Sequence, residues 1–189
     1  MPRPPRRLQS GYIYHVINRG NGQAKVFHKP QDYEVFIDLL AAAKQRHPVK
    51  LFAFCLMPNH FHLVLEPDTQ SLSRFMQWLM TSHVRRYHKH YNSSGHVWQG
   101  RFKSFPIQLD DHLLTVLRYV RQNPVRANLV STESAWPWSS ARRSELIDLS
   151  PVEESGRSDP LSGSQLTEVR ECLNQQLPFG SEEWRRTIR

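Results

Sequence analysis

Long apolar stretches are missing from this sequence. No run approaches the roughly 18 residues that a membrane-spanning helix needs. The opening MPRPPRRLQSG has basic residues, but no apolar stretch of the kind that follows the charges in a secretory signal. The expectation is a soluble intracellular protein with no membrane partner. Cysteine is scarce too: Cys55 sits in an apolar run and Cys172 lies far downstream. Two such thiols argue against a disulfide framework and for buried or idle side chains. No internal repeat is evident, and the aromatic K/R-G-F/Y-G/A-F-V signature of RNA-recognition sheets does not occur.

The charge that is present is lopsided. The 189 residues carry a formal net charge of +8, with 20 basic against 8 acidic residues up to Arg143 and 5 against 9 beyond it. A basic body invites a polyanionic partner. The expected organisation is one domain over residues 1–143 and an acidic tail over 144–189. Within that tail, Leu146 to Gln165 is rich in Ser, Pro, Gly and acidic residues and reads as a flexible linker. The segment after it reads as a short helix with a docked Trp184 and no second core.

Periodicity within the body gives the elements. GYIYHVINRGN reads as a strand ending in Asn and Gly turn signals. QDYEVFIDLLAAAKQRH places Tyr33, Phe36, Ile37, Leu40 and Ala41 at helical spacing, with acidic residues in its first turn and basic ones in its last. VKLFAFCLM is continuously apolar, as a strand covered on both faces would be, and HFHLVLE follows as its hairpin partner. SLSRFMQWLMTSHVRRYHKHYN predicts a second helix, RFKSFPIQL a fourth strand, and DDHLLTVLRYVRQNPVRANLV a helix disturbed at Pro124. This order predicts an α+β fold, a ferredoxin-like (split βαβ) antiparallel sheet with helices on one face, plus an extra C-terminal helix and tail.

One strand interrupts its own apolar pattern. In MPNHFHLVLEP, side chains alternate between faces, so His60 and His62 share one face and Phe61, Leu63 and Leu65 the other. Two imidazoles side by side suit a metal but do not complete a site. Glu66, four residues past His62, lies roughly 13 Å away along a strand. The disturbed helix carries a polar stripe of His112, Thr115, Tyr119 and Asn123 beside its apolar one, so Tyr119 and Asn123 project together. An amide oxygen one turn beyond a phenol can help hold a cation that the phenol faces; equally, Tyr119 can be a boundary residue and Asn123 a simple helix end.

These histidines resemble the paired histidines of HUH single-strand nucleases, which flank a bulky apolar residue. More specifically, YHVINRGN, FCLMPNHFHLVLEP, HVWQGRFKS, LRYVRQNPVRANLV, WPWSS and PFGSEEW are similar, in the same order, to stretches of the REP-associated tyrosine transposases. The resemblance implies Tyr119 as catalytic nucleophile and His60, His62 and Asn123 as ligands of a divalent metal, Mg²⁺ or Mn²⁺. It implies cleavage and rejoining of single-stranded DNA beside REP hairpins through a 5′-phosphotyrosine. It also implies a monomer that is cytoplasmic and nucleoid-associated. His15, on the first strand, is a possible additional site residue.

Single strands are held by basic grooves and by aromatics on which bases stack. Candidates for DNA contact are Arg19, Arg85, Arg86, Lys89, Trp98, Arg101, Phe102 and Lys103, with Arg3, Arg6 and Arg7 on the proline-rich N-terminal arm. Two other readings compete. One is a non-catalytic single-stranded nucleic-acid-binding module of ferredoxin-like fold. The other is a structural zinc site using Cys55 with His60 and His62, which lacks a fourth ligand.

Overall fold

A computed structural model describes residues 11–68, 71–152 and 159–188. The arginines of the N-terminal arm, Arg3, Arg6 and Arg7, lie outside them. Strand β1 (Ile13–Arg19) leads through a loop into helix α1 (Pro30–Arg46), followed by the hairpin β2 (Val49–Met57) and β3 (His60–Pro67). Helix α2 (Ser71–Tyr91), strand β4 (Lys103–Ile107), helix α3 (Asp111–Arg121) and the single turn α4 (Asn123–Arg126) come next, then α5 (Gly163–Gln175) and α6 (Glu182–Thr187). The sheet order is β2-β3-β1-β4 with all pairs antiparallel, the split βαβ arrangement predicted above. Among the described residues no helix is long and apolar enough to cross a membrane.

Local chemistry explains the boundaries. Pro30 opens α1, where its missing N–H costs nothing, and the Asp32 carboxylate accepts from the backbone N–H groups of His28 and Lys29. At the start of α3, Asp110 caps the backbone N–H of His112. Pro124 has no N–H to offer the last turn, and the chain breaks into α4 there.

The alternation in β3 separates two cores. Phe61, Leu63 and Leu65, with Tyr14 and Val16 of β1, face α1 and α2 and pack on Phe36, Leu40, Phe75 and Leu79. Cys55, Met57 and Val64 face the other way, against Leu113, Val116, Leu117 and Val120 of α3. The crossover helices α1 and α2 thus share one face as predicted, and the extra helix α3 covers the opposite one. The histidines are on the side of α3.

After α4 the chain packs back on the sheet. Leu56 N–H donates to the Trp138 carbonyl and Ser140 N–H to that of Phe54, so WPWSS runs along the β2 edge. Trp138 also stacks on Tyr33 at 4.9 Å. Asp148 then accepts from Leu51 N–H and pairs with Lys44 at 2.6 Å. At the other edge, Phe179 pairs with Ile107 of β4. Gly180 follows because a Cβ there would meet Trp184 at 2.4 Å and Gln108 at 2.8 Å. Leu161, Val169, Cys172 and Phe179 are buried in the α3 core, so the tail completes that core instead of trailing from it. Both sheet edges are covered, which removes the free strand edges that invite aggregation.

Candidate active site

The site is built on the α3 face of the two central strands. Ile17 of β1 is opposite His62, and Arg19 is opposite His60. Directly opposed residues in an antiparallel pair point to the same face. His15 is therefore the diagonal neighbour of His62, and its Nε2 lies 2.8 Å from His62 Nδ1. The two ring planes are inclined by only 24° with centroids 5.1 Å apart, so the rings lie edge to edge along that contact. From across the sheet α3 brings Tyr119, whose ring meets His62 edge-on at 5.8 Å and His15 at 6.2 Å. The rings of His60 and His62 are 5.0 Å apart.

A second hydrogen-bond chain fixes His60. The Asn59 amide donates from Nδ2 to the Gln23 carbonyl, which turns its Oδ1 toward His60 Nδ1 at 2.7 Å. Gly20 N–H, in the RGN turn after β1, donates to the Asn59 carbonyl at 2.7 Å and holds the hairpin tip in place. Because Oδ1 only accepts, His60 must carry its proton on Nδ1, and its Nε2 keeps a lone pair. Both His60 and His62 thus have Nδ1 engaged by the protein.

Burial keeps these rings uncharged. It pulls His15 down to about 3, and His60 down to about 4 with help from the positive Arg19. His62 lies well below its ordinary range through burial first, then through His60, His15, Arg126 and Arg19. Neutral imidazole is the form that binds a metal.

A cavity of about 1200 Å³ opens over the site, lined by His60, His62, Tyr119 and Asn123 together with Arg19, Arg101, Phe102 and Lys103. A second one, about 660 Å³, is lined by Arg85 and Trp98 and shares Asn18, Gly100, Arg101 and Phe102 with the first. Arg86 and Lys89 are exposed on α2 and line neither cavity. For Trp98, a candidate either for base stacking or for core packing, the surroundings are those of a core residue. Only 4% exposed, it packs against Phe27, Phe36, Phe61 and His83 in the first core. Phe102, at 8%, is also largely buried. The zinc reading does not hold either: among the described residues no three His, Cys, Asp or Glu side chains are grouped to hold an ion. Cys55 faces the α3 core, where burial pushes its thiol pKa up.

Several contributors were not apparent from sequence spacing. Asn59 was part of the quoted motif but had no assigned part. Arg126 stacks its guanidinium on the Tyr119 ring, with Cζ 4.2 Å from the centroid, and Nη2 donates to the Tyr119 carbonyl at 2.7 Å. The tail adds Arg170 and Asn174 of α5 to the cleft wall. Only their four-residue spacing on a helix hinted at a shared face.

Known proteins resemble this chain in sequence and in fold. A REP-associated tyrosine transposase of Escherichia coli (strain K12) is 22% identical over 152 residues, covering 79% of this chain and 87% of that protein. A solved structure of a REP-associated tyrosine transposase bound to a REP hairpin superposes with a TM-score of 0.60 at 20% identity, covering 86% of this chain and 96% of the other, and so shares its fold. The family described as "Transposase IS200 like" matches residues 8–123. That match spans more than half of the sequence, from the N-terminal arm through both histidines to Asn123: the chain belongs to the IS200-like transposase family.

Proposed function

We propose that this protein cleaves and rejoins single-stranded DNA beside REP-type hairpins, with Tyr119 as nucleophile and a divalent cation, Mg²⁺ or Mn²⁺, held by His60, His62 and Asn123. The observation that carries the reading is the convergence of His60 and His62 from β3 with Tyr119 from α3 on one basic cleft. One chain supplies all four side chains, which supports action as a monomer. The cavity exceeds the roughly 300–1,000 Å³ usual for small-molecule sites, as suits a polymer.

The donor set fits the cation. Two imidazoles have their Nδ1 atoms committed elsewhere, and Asn123 lines the same cleft, where its amide oxygen would be the third ligand. Two nitrogens and one amide oxygen leave room for phosphate and water oxygens, which Mg²⁺ and Mn²⁺ prefer. When bound, the cation offsets the charge that grows on the scissile phosphate. Tyr119 Oη attacks phosphorus in line, the O–P bond to tyrosine forms, and the bond to the 3′ oxygen breaks. The phenol proton is lost to solvent, and the departing 3′ oxygen takes one up. A 3′-hydroxyl attacking the phosphotyrosine reverses the step and joins strands without ATP. Arg19, Arg101 and Lys103 along the cleft bind phosphates on either side.

The metal part of the reading is tested by cleavage assays on labelled hairpin DNA with a single-stranded flank. Mn²⁺ should support cleavage, whereas EDTA or His62→Ala should lower it by at least about 100-fold, the loss expected when a metal ligand is removed. Equal activity in EDTA and Mn²⁺ would contradict it.

A further inference from the structure

His15 lies next to the proposed ligands but, unlike His60 and His62, does not line the cleft. It is 2% exposed, walled off by Phe105 at 6.3 Å and Tyr119 at 6.2 Å, and its Nε2 points at His62 Nδ1 instead of the cleft. A bond between two neutral imidazoles needs one donor and one acceptor, and two assignments satisfy it. If His15 donates, His62 carries its own proton on Nε2 and has no lone pair for a metal. If His15 accepts, His62 Nδ1–H is the donor and Nε2 is free.

We infer that His15 is a positioning residue for His62: its Nε2 accepts from His62 Nδ1–H and holds His62 in the tautomer whose Nε2 lone pair can bind a metal. This rests on the metal site proposed above and adds how that site is prepared. The neighbouring ligand supports the assignment. His60 is held with its proton on Nδ1 by Asn59, whose amide orientation is fixed by Gln23. The two histidines would then have the same tautomer, one set by an amide in the hairpin turn and the other by an imidazole on the adjacent strand. Because the rings lie nearly coplanar and edge to edge, His62 cannot turn about its χ2 angle without breaking the 2.8 Å contact to His15.

The direct test is long-range ¹H–¹⁵N correlation of the histidine rings in metal-free protein, with His62 assigned by its loss in His62→Ala. The expected result is a protonated Nδ1 and an unprotonated Nε2 on His62, and likewise an unprotonated Nε2 on His15, which accepts. A protonated Nε2 on His62 overturns the inference. A second reading uses Mn²⁺ affinity, followed by electron paramagnetic resonance of the free ion. His15→Phe, which keeps the ring and removes the acceptor, should weaken binding about 10- to 100-fold, the usual effect of losing an outer partner of a ligating histidine. His15→Gln, which restores an acceptor oxygen, should recover most of the loss. Unchanged affinity in His15→Phe contradicts the inference. Failure of wild type to bind Mn²⁺ at all, with the expected tautomer present, contradicts the metal site and not the role of His15. The ring spectra are read on wild type, so a variant that fails to fold leaves the test intact.

Discussion

At the scale of single residues, the site depends on side chains that hold other side chains. Asn59 and His15 each engage one ring nitrogen of a histidine and leave the other free. Arg126 does the same for the tyrosine. Its guanidinium covers one face of the Tyr119 ring and bonds the tyrosine carbonyl, and burial lowers its pKa because no carboxylate faces it among the described residues. A half-buried cation against an aromatic face contributes about 0.5–2 kcal/mol. Arg126→Met keeps the length of the side chain and removes both contacts. Single-turnover cleavage should slow by about 3- to 30-fold, while DNA affinity stays within about twofold. A matching loss of affinity would make Arg126 a DNA contact instead. Spacing placed Tyr119 and Asn123 together, because i, i+4 neighbours on a helix always share a face. It could not place Arg126 on the Tyr119 ring, because that contact is made across the break at Pro124.

At the scale of elements, α3 is the part on which the site turns, and the tail holds it. The buried residues of α3 meet the sheet on one side and Leu161, Val169, Cys172 and Phe179 on the other. Phe179, 3% exposed, also closes the β4 edge through bonds with Pro106 and Gln108. Phe179→Ala should cost about 3–5 kcal/mol, read as a lower denaturant midpoint with an unchanged slope. A cost below about 1 kcal/mol would mean that the tail is not part of the cooperative unit. The strands and long helices were legible because each carries its own period of apolar residues. Of the tail, a short helix and a docked Trp184 were legible, but not the burial of Leu161, Val169, Cys172 and Phe179, whose apolar side chains are spread through polar sequence and meet a surface built from distant segments. Trp98 was ambiguous for a related reason. Its basic neighbours suit a stacking surface and a core edge alike, and only the bridge to Gly20 and the ring contact with His83 of α2 show it packed in the core.

For the molecule as a whole, a sheet with two covered faces accommodates polar chemistry at a cost in buried imidazole. Burial lowers His15 to about 3 and His83 to about 4 in the folded protein, against an ordinary value of 6.5. Below pH 6.5 the unfolded chain takes up protons that the folded one refuses, so stability is full above that pH and falls on acidification. Between pH 7 and pH 5 the loss should be about 1–2 kcal/mol per ring, read as a falling melting temperature in metal-free protein. A flat profile would mean that these rings are solvated. The ferredoxin-like order and the basic body were both legible from the sequence, whereas the expectation of a DNA-cleaving enzyme came from the resemblance of its motifs to a transposase family. The central claim is that Tyr119 becomes covalently bound to DNA. The measurement that tests it most directly is a denaturing gel of wild type and Tyr119→Phe, each incubated with Mn²⁺ and labelled single-stranded DNA carrying a REP hairpin and its flanks. The account predicts a band of protein-plus-DNA size in wild type alone, with DNA binding retained in both. A covalent band of equal strength in Tyr119→Phe, or none in a wild type that binds the hairpin and its flanks, would contradict it.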